Sequence, residues 1–190
     1  MKLGIIIGSV RRGRVSDKVA KWVSNAATKQ DNVEVELIDL LDYKLPLFDE
    51  PISPQYNPNR VTEGEAKRWL ETLAEQDAYV VVTPEYNRSV PGALKNALDY
   101  IAYEISGKPV AIVTHGASNG GQAVAHMRGI IPGLLGVTIP TFVGLPWGVA
   151  SSFDTEGNIS ADDNGQFAGL LDKVLIELTQ YSTALATMQK

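Results

Sequence analysis

Three stretches that are apolar at nearly every position, residues 3–7, 78–83 and 110–114, constrain the fold of this chain more than anything else in it. A strand that is apolar on both faces has to be covered on both, as in the centre of a parallel sheet sandwiched between helices. The segments between these stretches supply the helices. Val19, Trp22, Val23 and Ala26 form one apolar stripe at helical spacing; Leu94, Leu98 and Ile101 form another behind Pro91, whose fixed φ suits a first turn. Phe167, Leu170, Leu171, Val174, Leu175 and Leu178 form the strongest stripe, expected as a C-terminal helix packed on the sheet. Further helices are expected over residues 66–75 and from Gly121 onward, the latter ended or kinked by Pro132-Gly133.

Two more strands read as sheet edges. Residues 33–37 alternate apolar with acidic side chains, and residues 137–143 contain Pro140, which has no N–H to give to a ladder. In chain order the strands are β1 (3–7), β2 (33–37), β3 (78–83), β4 (110–114) and β5 (137–143). With β2 and β5 at the edges, the order 2-1-3-4-5 satisfies every strand and needs only right-handed crossovers. The expectation is an α/β three-layer sandwich around a five-stranded parallel sheet.

At 190 residues and 44% apolar, with no linker or composition shift, the chain is expected to form a single domain over residues 1–190. A net charge of −5 argues against nucleic acid or an anionic membrane surface as partner. The chain has no apolar run near the roughly 20 residues of a membrane span and no signal-peptide pattern, so a soluble cytoplasmic protein is expected. The absence of cysteine rules out disulfides, thiolate metal sites, iron–sulfur clusters and a cysteine nucleophile, and with it phosphatase chemistry of the low-molecular-weight type.

In a sheet of this order, ligands bind beyond the carboxyl ends of the strands at the switch point between β1 and β3. Three loops reach that point. Residues 8–16, Gly-Ser-Val-Arg-Arg-Gly-Arg-Val-Ser, place three arginines, two hydroxyls and free amides at a helix start, the composition of a phosphate site. Residues 84–88, Pro-Glu-Tyr-Asn-Arg, suit the wall of a planar ring; residues 115–121, His-Gly-Ala-Ser-Asn-Gly-Gly, allow close backbone approach. Plainer readings exist for each: Ser16 as a helix cap beside solvated arginines, residues 84–87 as a simple turn, and His115 as a structural side chain at a strand end. The first loop has neither the Gly-Lys-Ser/Thr of a P-loop nor G-x-G-x-x-G, which disfavours nucleoside triphosphates and a Rossmann-bound dinucleotide. No Ser/His/Asp or Cys/His constellation with a believable geometry can be assembled from these loops.

Together these segments resemble the NAD(P)H-dependent FMN reductases of the flavodoxin-like superfamily, which include quinone, azo-dye and chromate reductases. The resemblance rests on Gly8-Ser9-Val10-Arg11 with Arg14 and Ser16, on Leu45-Pro46-Leu47-Phe48-Asp49-Glu50, on Pro84-Glu85-Tyr86-Asn87 followed by residues 91–99, and on Gly107-Lys108-Pro109-Val110; it covers roughly residues 1–145. It implies that Ser9, Arg11, Arg14 and Ser16 hold the FMN phosphate. It further implies that Pro84, Glu85, Tyr86 and Asn87 bracket the isoalloxazine, and that His115, Gly116, Ala117 and Gly120 cover its other edge. NADPH or NADH would be the co-substrate, and a quinone, azo compound, metal oxyanion or free FMN the acceptor. A homodimer or homotetramer is implied, with the proline-rich loop over residues 40–62 a candidate contact. The chain departs from the family pattern at Pro132-Gly133 and across residues 147–166. An electron-carrier flavodoxin is the rival binding module, and a nucleoside-processing transferase using Glu85 as nucleophile a rival enzyme.

Overall fold

A computed structural model of the chain describes residues 1–188. The strands are β1 (Lys2–Ile7), β2 (Glu34–Asp39), β3 (Ala78–Pro84), β4 (Pro109–Gly116), β5 (Val137–Thr138) and β6 (Val143–Pro146). All pairings are parallel in the order β2-β1-β3-β4-β5, and β6 pairs with β4 beyond β5. The expected order is therefore present, with one correction: the fifth position is shared by two short strands instead of one. Ile139 still donates to Val110, but Pro140 has no N–H, and the chain leaves β4 until Val143 rejoins it.

The helices are α1 (Ser16–Ala27), α2 (Gly64–Ala74), α3 (Gly92–Asp99), α4 (Gly121–Gly133), α5 (Trp147–Ser152) and α6 (Ala161–Met188). Pro91 is the residue before α3 instead of lying in its first turn, and α4 stops at Pro132-Gly133 as its sequence demands. Strand alternation sorts the core into two layers. Leu3, Ile5, Ile7, Val80, Val82, Ala111 and Val113 face α1 and α6 through Val19, Trp22, Val23, Leu171, Val174 and Leu178. Ile6, Tyr79, Val81, Val110 and Ile112 face α2, α3 and α4 through Trp69, Leu73, Leu94, Leu98, Met127 and Ile131. At about 25 cal/mol per Å² of buried apolar surface, these two layers are the main source of stability.

Residues 147–166, unaligned in the sequence, form α5, a tight loop and the first turn of α6. The loop is pinned to α1 by the Lys18 ammonium on the Phe153 carbonyl at 3.1 Å and by stacking of Trp22 on Phe153 at 5.6 Å. Among the described residues no helix is long and apolar enough to cross a membrane.

Candidate functional site

All three ligand-like loops lie at the carboxyl ends of β1, β3 and β4, where register aligns Ile7 with Val82 and Pro84 with His115. After β1, the Gly8 amide stays in the sheet through the Val82 carbonyl at 2.8 Å. Ser9 is buried, and its hydroxyl shares a 3.0 Å hydrogen bond with the Tyr86 hydroxyl, joining the first loop to the second. Arg11 is exposed and lies over the Tyr86 ring, 5.7 Å from its centroid.

Arg14 behaves differently from its neighbours. One terminal nitrogen donates to the Ser9 carbonyl and to Asp39 Oδ1, both at 2.7 Å, and the other pairs with Asp39 Oδ2. Asp39 is the last residue of β2, aligned with Ile7, so this ion pair ties the loop to the neighbouring strand end. The guanidinium expected to meet a phosphate is thus already holding the loop.

Ser16 is also buried, and it is not a cap. Val15 occupies the cap position with no side-chain cap bond, and the Ser16 hydroxyl is 3.0 Å from His115 Nε2. Among the described residues, the amides of Arg12, Gly13, Val15, Ser16 and Asp17 meet no acceptor. Open amides at the positive end of α1 beside Arg11 are the donor set an anionic phosphate requires.

The second loop folds back on itself. Glu85 donates its amide to the His115 carbonyl at 2.9 Å, and its carboxylate accepts the Gln122 amide at 2.9 Å, satisfying a free N–H at the start of α4. Tyr86 and Ser89 exchange backbone bonds of 2.8 and 3.0 Å around Asn87 and Arg88, whose φ values are 49° and 68°. The plainer reading of a turn is therefore correct for the backbone, while Asn87 and Arg88 project exposed at the rim.

In the third loop Gly120 has φ of 70°, and a Cβ there would sit 2.4 Å from Thr114 Cβ. At Gly116 a Cβ would come within 3.1 Å of Glu85 Cβ, so glycine lets the second and third loops close on each other. Ala117 is exposed at the tip. His115 is only 3% exposed, Nδ1 has no partner among the described residues, and burial pushes its pKa down to about 4. A neutral imidazole braces α1 against β4 and brings no positive charge to the cleft.

The description of an NADPH-dependent FMN reductase family matches residues 1–148. The chain belongs to this family. Its limit falls where the sequence stops aligning, just inside α5. An NAD(P)H-dependent FMN reductase of Nectria sp is 36% identical over 151 residues, covering 77% of this chain and 75% of that one. A quinone reductase of Pseudomonas putida is 31% identical over 184 residues, 90% of this chain and 91% of its own. Among solved structures, the flavoenzyme NAD(P)H:(acceptor) oxidoreductase FerB of Paracoccus denitrificans superposes with a TM-score of 0.75 over 95% of this chain and 98% of its own. At 22% identity that likeness shows the fold, including the part beyond residue 148.

The family's own segments meet in space. Asn96 of α3 donates to the Pro46 carbonyl at 2.7 Å and accepts the Phe48 amide at 2.9 Å, while Phe48 stacks edge-on against Tyr100 at 5.2 Å. Sequence reasoning missed Asp39, and it missed the 2.8 Å contact between Ser89 Oγ and His126 Nδ1. The position of Asp39 at the end of β2, beside the phosphate-type loop, was the available signal for the first; nothing local signals the second.

Proposed function

We propose that this reductase holds FMN across the three loops, takes reducing equivalents from NAD(P)H and passes them to a small-molecule acceptor such as a quinone, an azo compound, a metal oxyanion or free FMN. One observation carries the site assignment: open amides at the start of α1 lie beside Arg11, and Arg11 lies over Tyr86 of the loop that closes the cleft. Bound FMN would supply the redox chemistry, two-electron transfer from NAD(P)H to the acceptor, and the three loops would hold it.

The chain's own residues bind and orient. Arg11 and the open amides of Arg12, Gly13, Val15, Ser16 and Asp17 receive the phosphate. Ser9 and Ser16 form the floor beneath it, Ser9 Oγ shared between the Tyr86 hydroxyl and the Arg11 amide and Ser16 Oγ with His115 Nε2. Arg14 is a positioning residue, acting through the Ser9 carbonyl and Asp39. Pro84, Glu85, Tyr86 and Asn87 line one edge of the ring; Gly116, Ala117 and Gly120 offer backbone along the other, with neutral His115 behind them.

The test is FMN titration followed by steady-state oxidation of NADH and NADPH across those acceptors. Saturable FMN binding and ping-pong turnover are expected. FMN binding without turnover of either nucleotide identifies a flavodoxin-type carrier instead, and no flavin binding sinks both readings.

The same reading takes the chain as one FMN-binding domain that works in the cytoplasm as a homodimer or homotetramer. Supporting assembly, the 40–62 loop is braced on α3, with Arg60 bridging Glu50 at 2.7 Å and the Tyr100 carbonyl at 2.7 Å. It nevertheless exposes Leu41, Leu47, Ile52, Tyr56 and Val61. Light scattering on the wild type and Leu47→Asp tests this: a mass above the monomer that falls in the variant supports it, and a monomeric wild type refutes it.

A further inference from the structure

NAD(P)H carries a pyrophosphate, and NADPH a further 2′-phosphate, so cations and hydrogen-bond donors near the ring, beyond those holding the FMN phosphate, would favour its binding. On the elements that bracket the ring, residues 84–89, residues 115–121 and the first turns of α4, two side chains fit. Arg88 is exposed and has no hydrogen bond or ion pair among the described residues. His126, exposed on α4, is tied by Nδ1 at 2.8 Å to Oγ of Ser89, the residue that follows Arg88 in the turn. In the tautomer in which the Ser89 hydroxyl donates to Nδ1, the ring N–H is on Nε2, which can donate to an anion.

Other cations nearby are engaged. Lys95 holds Asp99 at 2.6 Å, and Arg128 donates to the Pro140 carbonyl and lies over the Phe142 ring. The neighbouring acid, Glu85, has its carboxylate on the Gln122 amide.

The backbone adds an independent argument. A two-residue turn with both central residues at positive φ favours glycine in its second place, and Arg88 stands there at φ 68°. An arginine kept in a conformation that glycine adopts freely points to a use for its side chain.

We propose that Arg88 and His126 form an anion subsite for the phosphates of the nicotinamide dinucleotide. This rests on the reductase reading above. The probe set is NADPH, NADH and 1-benzyl-1,4-dihydronicotinamide, a hydride donor with no phosphate, each titrated against one quinone with FMN-saturated wild type, Arg88→Gln and His126→Gln. Calorimetric binding of NADP+ to the same samples gives a readout separate from turnover.

The ratio of KM for the dinucleotide to KM for the phosphate-free donor should rise on the order of 10-fold in Arg88→Gln, and NADP+ should bind correspondingly more weakly. An equal rise for NADH and NADPH assigns the subsite to the pyrophosphate, and a rise for NADPH alone assigns it to the 2′-phosphate. Arg88→Gly guards against misfolding, because glycine relieves the positive φ; an unchanged or higher melting temperature with the raised ratio supports the proposal. An unchanged ratio, or an equal rise for the phosphate-free donor, overturns it. Should the wild type oxidise none of the three donors, the reductase reading itself fails, and the same assay shows that separately.

Discussion

Replacing His115 by Gln should make the protein less sensitive to acid. The glutamine amide keeps a partner for the Ser16 hydroxyl but does not titrate. In the wild type, burial lowers the folded-state pKa to about 4 from the ordinary 6.5. A depressed histidine pKa means that the unfolded chain binds the proton more readily. The contribution to stability is therefore complete above pH 6.5 and is lost as pH falls from there towards 4. At about 1.4 kcal/mol per unit, the loss is about 2 kcal/mol by pH 5 and about 3 kcal/mol by pH 4. Carboxylates held below their usual range, such as Asp154 and Glu65, also weaken the fold in acid, but they are common to both proteins and cancel in the comparison. Urea unfolding of flavin-free wild type and His115→Gln at pH 7 and pH 5 should show the wild type losing about 2 kcal/mol more than the variant. Parallel losses would mean that His115 can take up a proton where it sits, and the picture of a neutral buried brace would be wrong.

Arg11→Ala should weaken FMN binding about 10- to 150-fold while leaving riboflavin, which has no phosphate, nearly unaffected; fluorescence titration of both flavins checks it, and an equal loss for the two removes Arg11 from the phosphate. Arg14→Ala strands the Asp39 carboxylate, only 19% exposed, and should cost about 2 kcal/mol of stability in urea melts, below the range for fully buried pairs. Gly120→Ala combines φ of 70° with a Cβ 2.4 Å from Thr114 Cβ and should cost about 1–3 kcal/mol; an unchanged melting temperature would show that this loop relaxes freely.

The strand order was readable because it follows from burial on two faces. Residues 3–7, 78–83 and 110–114 could be nowhere but inside the sheet, and the alternating stretch before Leu37 and the proline at 140 could only sit at its edges. The splitting of the fifth strand was less readable. One missing N–H marks Pro140 as a poor ladder residue, but whether the chain rejoins β4 afterwards depends on β4 running to Gly116 and offering partners to residues 143–146. A strand's own composition does not report how long its neighbour is.

The same division runs through the site. Composition singled out three candidate loops, since arginines, hydroxyls and glycines are local properties of each. It did not say which groups remain free to meet a ligand. Arg11 and Arg14 are chemically identical and lie in one loop, yet one is exposed over Tyr86 and the other is bound by Asp39. Parallel pairing of β1 with β2 brings Asp39 level with Ile7, and so settles which arginine becomes a strut. Ser16 follows the same logic, its partner His115 lying 99 residues away at the end of β4. Residue type thus specifies what a loop is able to bind. The strand ends beside it decide which of its side chains are already spent on holding the loop, and that argument leads from the braced Arg14 to Arg88, which has no ion pair among the described residues, as a cation free to meet a substrate.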